Sequence, residues 1–284
     1  MSDFISGLVP SRQKLRGTFW PLLIQTHRLF TPRLDLSTLA PILILGNQKT
    51  GSTAIAQLLA ALGNLHIHPN IHALQAADTH LPNAPEAVAS FIQRSRYYFR
   101  ADVVKENELT PATGALLTVL PNARPVYVVR HPVQNIRSIL DRVQLPGDPQ
   151  RFDALSLPDS GWSPILTSRP LGIEAGDHIT ALARRWSHMT ALYLRHRTQL
   201  HLVRYEDFVA DKLETIQRLA SRLGIETRKD IRPLLDVSFQ PSGAHRSTPP
   251  EDFFSSEALA IIHRECAEGM AQLDYDPIPA DSSS

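Results

Sequence analysis

One segment limits what this chain can fold into more than any other. The apolar run Pro41–Leu45 (PILIL) leads directly into Gly46-Asn47-Gln48-Lys49-Thr50-Gly51-Ser52-Thr53, and a helical pattern, Thr53–Leu62, follows. A short run that is apolar at every position suits a strand covered on both faces, which in practice means a parallel sheet. Gly46 and Gly51 permit a tight turn between strand and helix. The loop amides and the helix N-terminus then point to one place and form an anion site, to which Ser52 and Thr53 add hydroxyl donors.

Further apolar runs repeat the strand signal at Asp102–Val104, Val126–Val129 (VYVV) and Leu200–Val203 (LHLV). Helical patterns alternate with them. Thr53–Leu62 stops at Gly63, a natural C-terminal cap. Pro111–Leu120 follows the second strand, and Pro132 opens a helix after the third. Ala181–Arg197, Asp211–Leu223 (ended by Gly224) and Ser256–Leu273 complete the set. The alternation predicts an α/β fold, a P-loop-type central parallel sheet covered by helices on both faces. We expect an N-terminal arm over 1–40 and a single domain over 41–284. Within it, 143–177 is rich in proline and glycine and reads as a lid-like insertion over an acceptor site.

Bulk properties narrow the partners. The net charge of +1 over 284 residues gives no global basic field, so nucleic acid is not expected as a partner. The single cysteine, Cys266, cannot form an internal disulfide and reads as a half-buried helix residue. The N-terminal stretch lacks a signal-peptide layout. Its apolar run Phe19–Ile24 is short and interrupted by Pro21, so the expectation is a cytoplasmic protein without a stable membrane span. Arg12, Lys14, Arg16, Arg28 and Arg33 lie among aromatics and are read as part of a packed arm rather than a membrane-surface helix.

The spacing of the loop resembles the Walker A pattern, Gly-x4-Gly-Lys-[Ser/Thr], with one informative departure. Ser52, not lysine, follows Gly51, and the lysine stands ahead of the glycine as Lys49. An ATP-using loop places its lysine behind the glycine and a magnesium-holding hydroxyl after it. Here no magnesium ligand is implied, although a P-loop nucleotide kinase or hydrolase stays open as an alternative.

Lys49-Thr50-Gly51-Ser52-Thr53 resembles the 5′-phosphosulfate loop of sulfotransferases that use 3′-phosphoadenosine 5′-phosphosulfate (PAPS). Two later segments match the same family in order. Val126-Tyr127-Val128-Val129-Arg130-His131-Pro132, followed by Ser138, resembles its 3′-phosphate segment. Leu202-Val203-Arg204-Tyr205-Glu206-Asp207-Phe208, with Gly224 downstream, is similar to its strand and Tyr-Glu-Asp segment. The resemblance implies a metal-independent sulfuryl transfer from PAPS to a small-molecule acceptor, with the desulfated nucleotide PAP as product. It implies Lys49 on the leaving group, Thr50, Gly51, Ser52 and Thr53 on the 5′-phosphate, and Arg130 and Ser138 on the 3′-phosphate. Arg246, in Ser242–Ser247, is a weaker candidate for the same phosphate. Glu206 and Asp207 read as structural, capping a helix and pairing basic groups.

Two departures matter. Where cytosolic members carry a lysine and then a histidine base, this chain has Lys105 and Asn107, and an asparagine cannot act as a base. The base is open, with Glu106 ranked first, then His72, then His80, and Glu108 also a candidate. Ala54 replaces the aromatic that often meets adenine. The missing histidine leaves a chain that binds PAP without catalysis as an alternative. His66, His68, His72, Asp78 and His80 cluster along the chain, yet no complete ligand set is visible, so no metal is expected. Phe152, Trp162, Ile165 and Leu166 could wall the acceptor site, and Asp153 and Asp159 could meet a cationic acceptor. Transfer to oxygen or to nitrogen, and the oligomeric state, are left open.

Overall fold

The computed structural model describes residues 32–74, 81–157, 161–239 and 248–278. Arg12, Lys14, Arg16, Arg28, Asp78, His80, Asp159 and Arg246 lie outside the described residues.

Among the described residues five strands form one parallel sheet: β1 Ile42–Gly46, β2 Ile67–His68, β3 Val103–Lys105, β4 Arg124–Val129 and β5 His201–Arg204, in the order β2-β3-β1-β4-β5. The longer helices are α1 Ser52–Gly63, α2 Pro85–Arg94, α3 Thr113–Val119, α4 Pro132–Val143, α5 His178–Arg195, α6 Lys212–Arg222 and α7 Ser256–Gln272. Alternation along each strand divides the core. Ile42, Ile44, Val103, Val126 and Val128 face α1 and α6 through Ile55, Leu59, Ile216 and Leu219. Leu43, Leu45, Val104, Tyr127 and Val129 face the opposite way, into the larger core built by α2, α3, α4, α5 and α7. The sheet is thus covered on both faces, as expected for strands that are apolar throughout.

Side chains cap α5 and α6 at their starts. The Asp177 carboxylate accepts from Thr180 N at 2.8 Å, and Asp211 from Glu214 N at 2.9 Å. Pro132 occupies the first turn of α4. The end of α1 differs from expectation. Gly63 is still helical and buried, and the left-handed cap is Asn64 (φ 51°). A Cβ on Gly63 would stand 2.6 Å from Ile225, so that glycine serves packing instead. Pro111 falls inside a tight turn, Asn107–Ala112, and the α-helix begins only at Thr113.

The described part of the 143–177 stretch has regular structure of its own. It contains helical turns at Ser163–Thr167 and Arg169–Leu171, and Leu166 is fully buried in the larger core. Both ring nitrogens of His178 meet its backbone, at Gln150 O (3.3 Å) and Pro146 O (3.1 Å). Cys266 is fully buried rather than half-buried, and burial pushes its thiol up to about 12. Among the described residues no helix is long and apolar enough to cross a membrane.

Candidate active site

The carboxyl ends of β1, β3 and β4 lie on one edge of the sheet, since Ile44 is in register with Lys105 and Gly46 with Val128. Ligands of open α/β sheets bind at this edge. A cavity of about 440 Å³ opens there, lined by the loop residues Gln48, Lys49, Gly51, Ser52 and Thr53. The β3 turn (Lys105 to Glu108) forms another wall. Asn70, Leu74, Arg142, Gly161, Trp162 and Ile165 close the remainder.

The loop has its shape because two glycines allow it. Gly46 (φ 144°) lies so close to β4 that a Cβ would stand 2.4 Å from Val128 O. Gly51 (φ 85°) caps α1, and a Cβ there would stand 2.4 Å from two ring carbons of Tyr205. The first turn of α1 has neither a side-chain cap nor an acidic residue, so its positive end faces the cavity unneutralised by the chain. Lys49 itself is left-handed (φ 63°), at a cost of about 1 kcal/mol for a residue with a Cβ. Gly51→Ala combines an unfavourable φ with a ring clash, and we expect a Tm several degrees lower and a weakened anion site. A Tm within a degree of wild type would show that Tyr205 yields freely.

Electrostatics favour an incoming anion. Burial is the main cause that lowers the Lys49 ammonium from its ordinary value, and the positive charges of Arg142 and Arg130 add to it. Asp141 offsets this only in part. An anion placed among these groups relieves their repulsion. Arg130 is half-buried at the end of β4. Its guanidinium lies 4.5 Å above the Tyr205 ring and donates to Lys49 O at 3.3 Å. Its own carbonyl accepts from Trp186 Nε1 at 2.9 Å. Arg130 is thus fixed against the loop, although it does not line the cavity. Ser138 is half-buried on α4, and helical spacing puts it on the same face as Asn135, which touches the loop, and Arg142, which lines the cavity.

The β3 turn carries the carboxylate ranked first as a base. Glu106 is 4% exposed. Its Oε2 accepts from Ile71 N at 2.7 Å and its Oε1 from Glu108 N at 3.2 Å. Burial raises its carboxyl above the ordinary range, against the opposing charge of Lys105 and these two hydrogen bonds. Lys105, also buried, donates to Asn70 Oδ1 at 3.3 Å and is lowered by burial. A carboxylate whose proton affinity burial raises, and which lines a cavity, is suited to accepting a proton.

The other predicted residues divide. Thr50 is buried and donates to Asn47 O at 3.0 Å, which shapes the loop from within. Ser52 Oγ donates to Asn107 Oδ1 at 3.1 Å, so Asn107 braces the loop. His72 is exposed and is not among the lining residues, although Asn70 and Leu74 on either side of it are. Burial lowers His68 to about 4, which leaves it a weak base. Trp162 and Ile165 line the cavity as expected, whereas Leu166 belongs to the core. Phe152 and Asp153 do not line it, and Asp153 instead pairs with Arg151 at 3.4 Å. Glu206 takes its hydrogen bonds from His131 N and the Tyr275 hydroxyl, both at 2.8 Å, rather than from a basic group. It therefore fixes the chain just after Arg130.

Comparison with known proteins identifies the family. Residues 86–229 match the Sulfotransferase family. The chain belongs to that family. It is 24% identical over 188 residues to the bifunctional heparan sulfate N-deacetylase/N-sulfotransferase 1 of Caenorhabditis elegans, and the match covers 58% of this chain and 20% of that enzyme. Among solved structures, the sulfotransferase domain from the curacin biosynthetic pathway aligns with a TM-score of 0.50 at 15% identity, covering 85% of this chain and all of that one (100%). Sulfotransferase STF9 from Mycobacterium avium aligns with a TM-score of 0.51 at 12% identity, covering 91% and 81%. These structural likenesses establish the fold, which is the α/β sulfotransferase architecture.

Sequence reasoning missed Gln48, Asn135, Arg142 and Arg185. Arg142 was open to discovery, seven residues after Asn135 on the helix that Pro132 begins. Arg185 falls on the buried stripe of α5 with Leu182, Trp186 and Met189, so the helical period carried the signal.

Proposed function

We propose that this member of the family moves a sulfuryl group from PAPS to a hydroxyl or amine of a small-molecule acceptor and releases PAP. The observation that carries the proposal is Lys49. It stands ahead of the turn glycine, in a left-handed conformation, at a helix N-terminus without its own carboxylate, and Glu106 lines the same cavity. PAPS would supply an activated sulfur with a good leaving group. The loop residues Thr50 to Thr53 would hold its 5′-phosphate, and Arg130 and Ser138 its 3′-phosphate. Lys49 would neutralise charge on the departing phosphate oxygen as the bond to sulfur breaks. Glu106 would take the proton that the acceptor loses as its oxygen or nitrogen bonds to sulfur. Leu74, Trp162 and Ile165 offer an apolar wall to the acceptor, and the 143–177 insertion, which supplies two of them, would act as its lid.

Ser52 favours this reading over ATP chemistry. In a magnesium-dependent loop the hydroxyl after the lysine serves the metal, whereas here Ser52 follows the glycine and donates to Asn107. The direct test is a panel of phenols, alcohols and amines incubated with sulfur-labelled PAPS in the presence of EDTA. Transfer of label to at least one acceptor is expected. Absence of label on every acceptor, despite PAP binding, would favour a catalytically silent PAP-binding protein. Turnover of magnesium-ATP instead would refute the proposal.

A further inference from the structure

Arg185 lies in the middle of α5 and is only 2% exposed. Its Nε donates to Asn47 Oδ1 at 3.1 Å and to Gln48 Oε1 at 3.2 Å, and its Nη2 donates to Gln48 Oε1 at 3.0 Å. Nη2 also lies 3.8 Å from Glu108 Oε1. Gln48 Nε2 donates to that same carboxylate oxygen. One guanidinium therefore joins the two residues that precede Lys49 to the carboxylate that follows Glu106 in the β3 turn.

The position is an expensive one for a cation. Stripping an arginine of water costs several kcal/mol, and an apolar side chain of similar volume often replaces a buried ion pair without loss of stability. Packing alone therefore does not account for the charge. The loop backbone also has its own supports. Asn135 Nδ2 donates to Gln48 O at 2.7 Å, and Asn107 Nδ2 donates to Asn47 O at 2.9 Å. These leave the loop held when Arg185 is changed. Arg185 adds a fixed link between the loop and the turn opposite.

Resting on the sulfotransferase reading, we propose that Arg185 is the positioning residue that sets the separation between the phosphate loop carrying Lys49 and the turn carrying Glu106 and Glu108. It touches neither donor nor acceptor. It acts by holding Gln48 and Glu108 so that leaving-group stabiliser and base face one reacting centre. Errors of about 1 Å in such a separation cost roughly 100-fold in rate. A second consequence is electrostatic. Among the described residues the charged groups facing Glu106 are Lys105 and Glu108, of which Glu108 raises it. Without Arg185, Glu108 presses on Glu106 with less compensation.

The test uses the full chain with Arg185→Met and Arg185→Lys, measuring kcat, KM for PAPS, PAP affinity and the pH profile. For Arg185→Met we expect kcat to fall roughly 100-fold, PAP Kd to stay within about threefold, and the acid limb of the profile to move to higher pH. Arg185→Lys should recover part of kcat. A kcat within about threefold of wild type, or an equal loss of kcat and PAP affinity with an unmoved acid limb, would overturn the proposal. Should Arg185→Met fail to fold, Gln48→Met severs the same link from the loop and should reproduce the kcat loss; wild-type kcat there counts against it. Wild-type protein without any turnover would refute the enzymatic reading but not this one. In that case amide exchange decides, with faster exchange expected in both 46–51 and 106–108, and unchanged exchange in either segment contradicting the link.

Discussion

Lys49→Met is expected to reduce sulfuryl transfer by about 100- to 1,000-fold, the range found when a charge-stabilising donor is removed from a transition state. The fold should not suffer. Lys49 is lowered by burial and by Arg142 and Arg130, so the native state bears a cost that methionine removes. Methionine keeps the length and the unbranched Cβ that the left-handed backbone tolerates. We expect a Tm equal to or above wild type and a PAP affinity reduced by about tenfold, the loss of one charge-assisted contact. The kcat loss should exceed the affinity loss, because the charge on the leaving oxygen is greatest in the transition state. Equal losses in both would make Lys49 a binding residue only.

Glu106→Gln is expected to reduce turnover by about 100- to 10,000-fold, the usual contribution of a positioned general base. Its structural cost is modest but real. The carboxylate accepts from Ile71 N and Glu108 N, and a carboxamide can serve only one of these without turning its NH₂ toward the other. About 1 kcal/mol of stability should go with it. PAP affinity should hold. A carboxylate in the proposed role of base works only when deprotonated, and burial raises the Glu106 carboxyl above its ordinary value of 4.5. The rate should therefore fall as pH drops through that raised value, and the fall should lie above the ordinary carboxylate range. Turnover that persists in Glu106→Gln would move the base elsewhere. His72, exposed and outside the cavity lining, is a poorer alternative than its residue type suggested.

The phosphate loop was legible because its constraints are local. A strand, two glycines at fixed spacing and a helix start leave one geometry, and both glycines have the close backbone or ring neighbour that forbids a Cβ. Arg130 and Pro132 were legible for the same reason, as the end of an apolar run and the start of a helix. What failed was long-range or short. β2 has two residues, Ile67 and His68, too few for any period to appear. α2 has a proline in its first turn and an apolar face of Val88, Phe91 and Ile92, yet no helix is expected there from the sequence. Arg184 and Arg185 are the plainest case. Adjacent and identical, one reaches the partly exposed Glu265 at 2.9 Å, while the other is buried against residues 137 and 138 positions away. Only the helical phase of α5 separates them, and their partners lie in another part of the sequence.

The loop is proposed to bind the doubly phosphorylated nucleotide without a metal. Calorimetric titration of the purified chain with PAP in excess EDTA measures this directly. Saturable one-to-one binding in the micromolar range or tighter is expected, weakened in Arg130→Ala and Lys49→Met. No heat with PAP, together with saturable binding of magnesium-ATP, would contradict it.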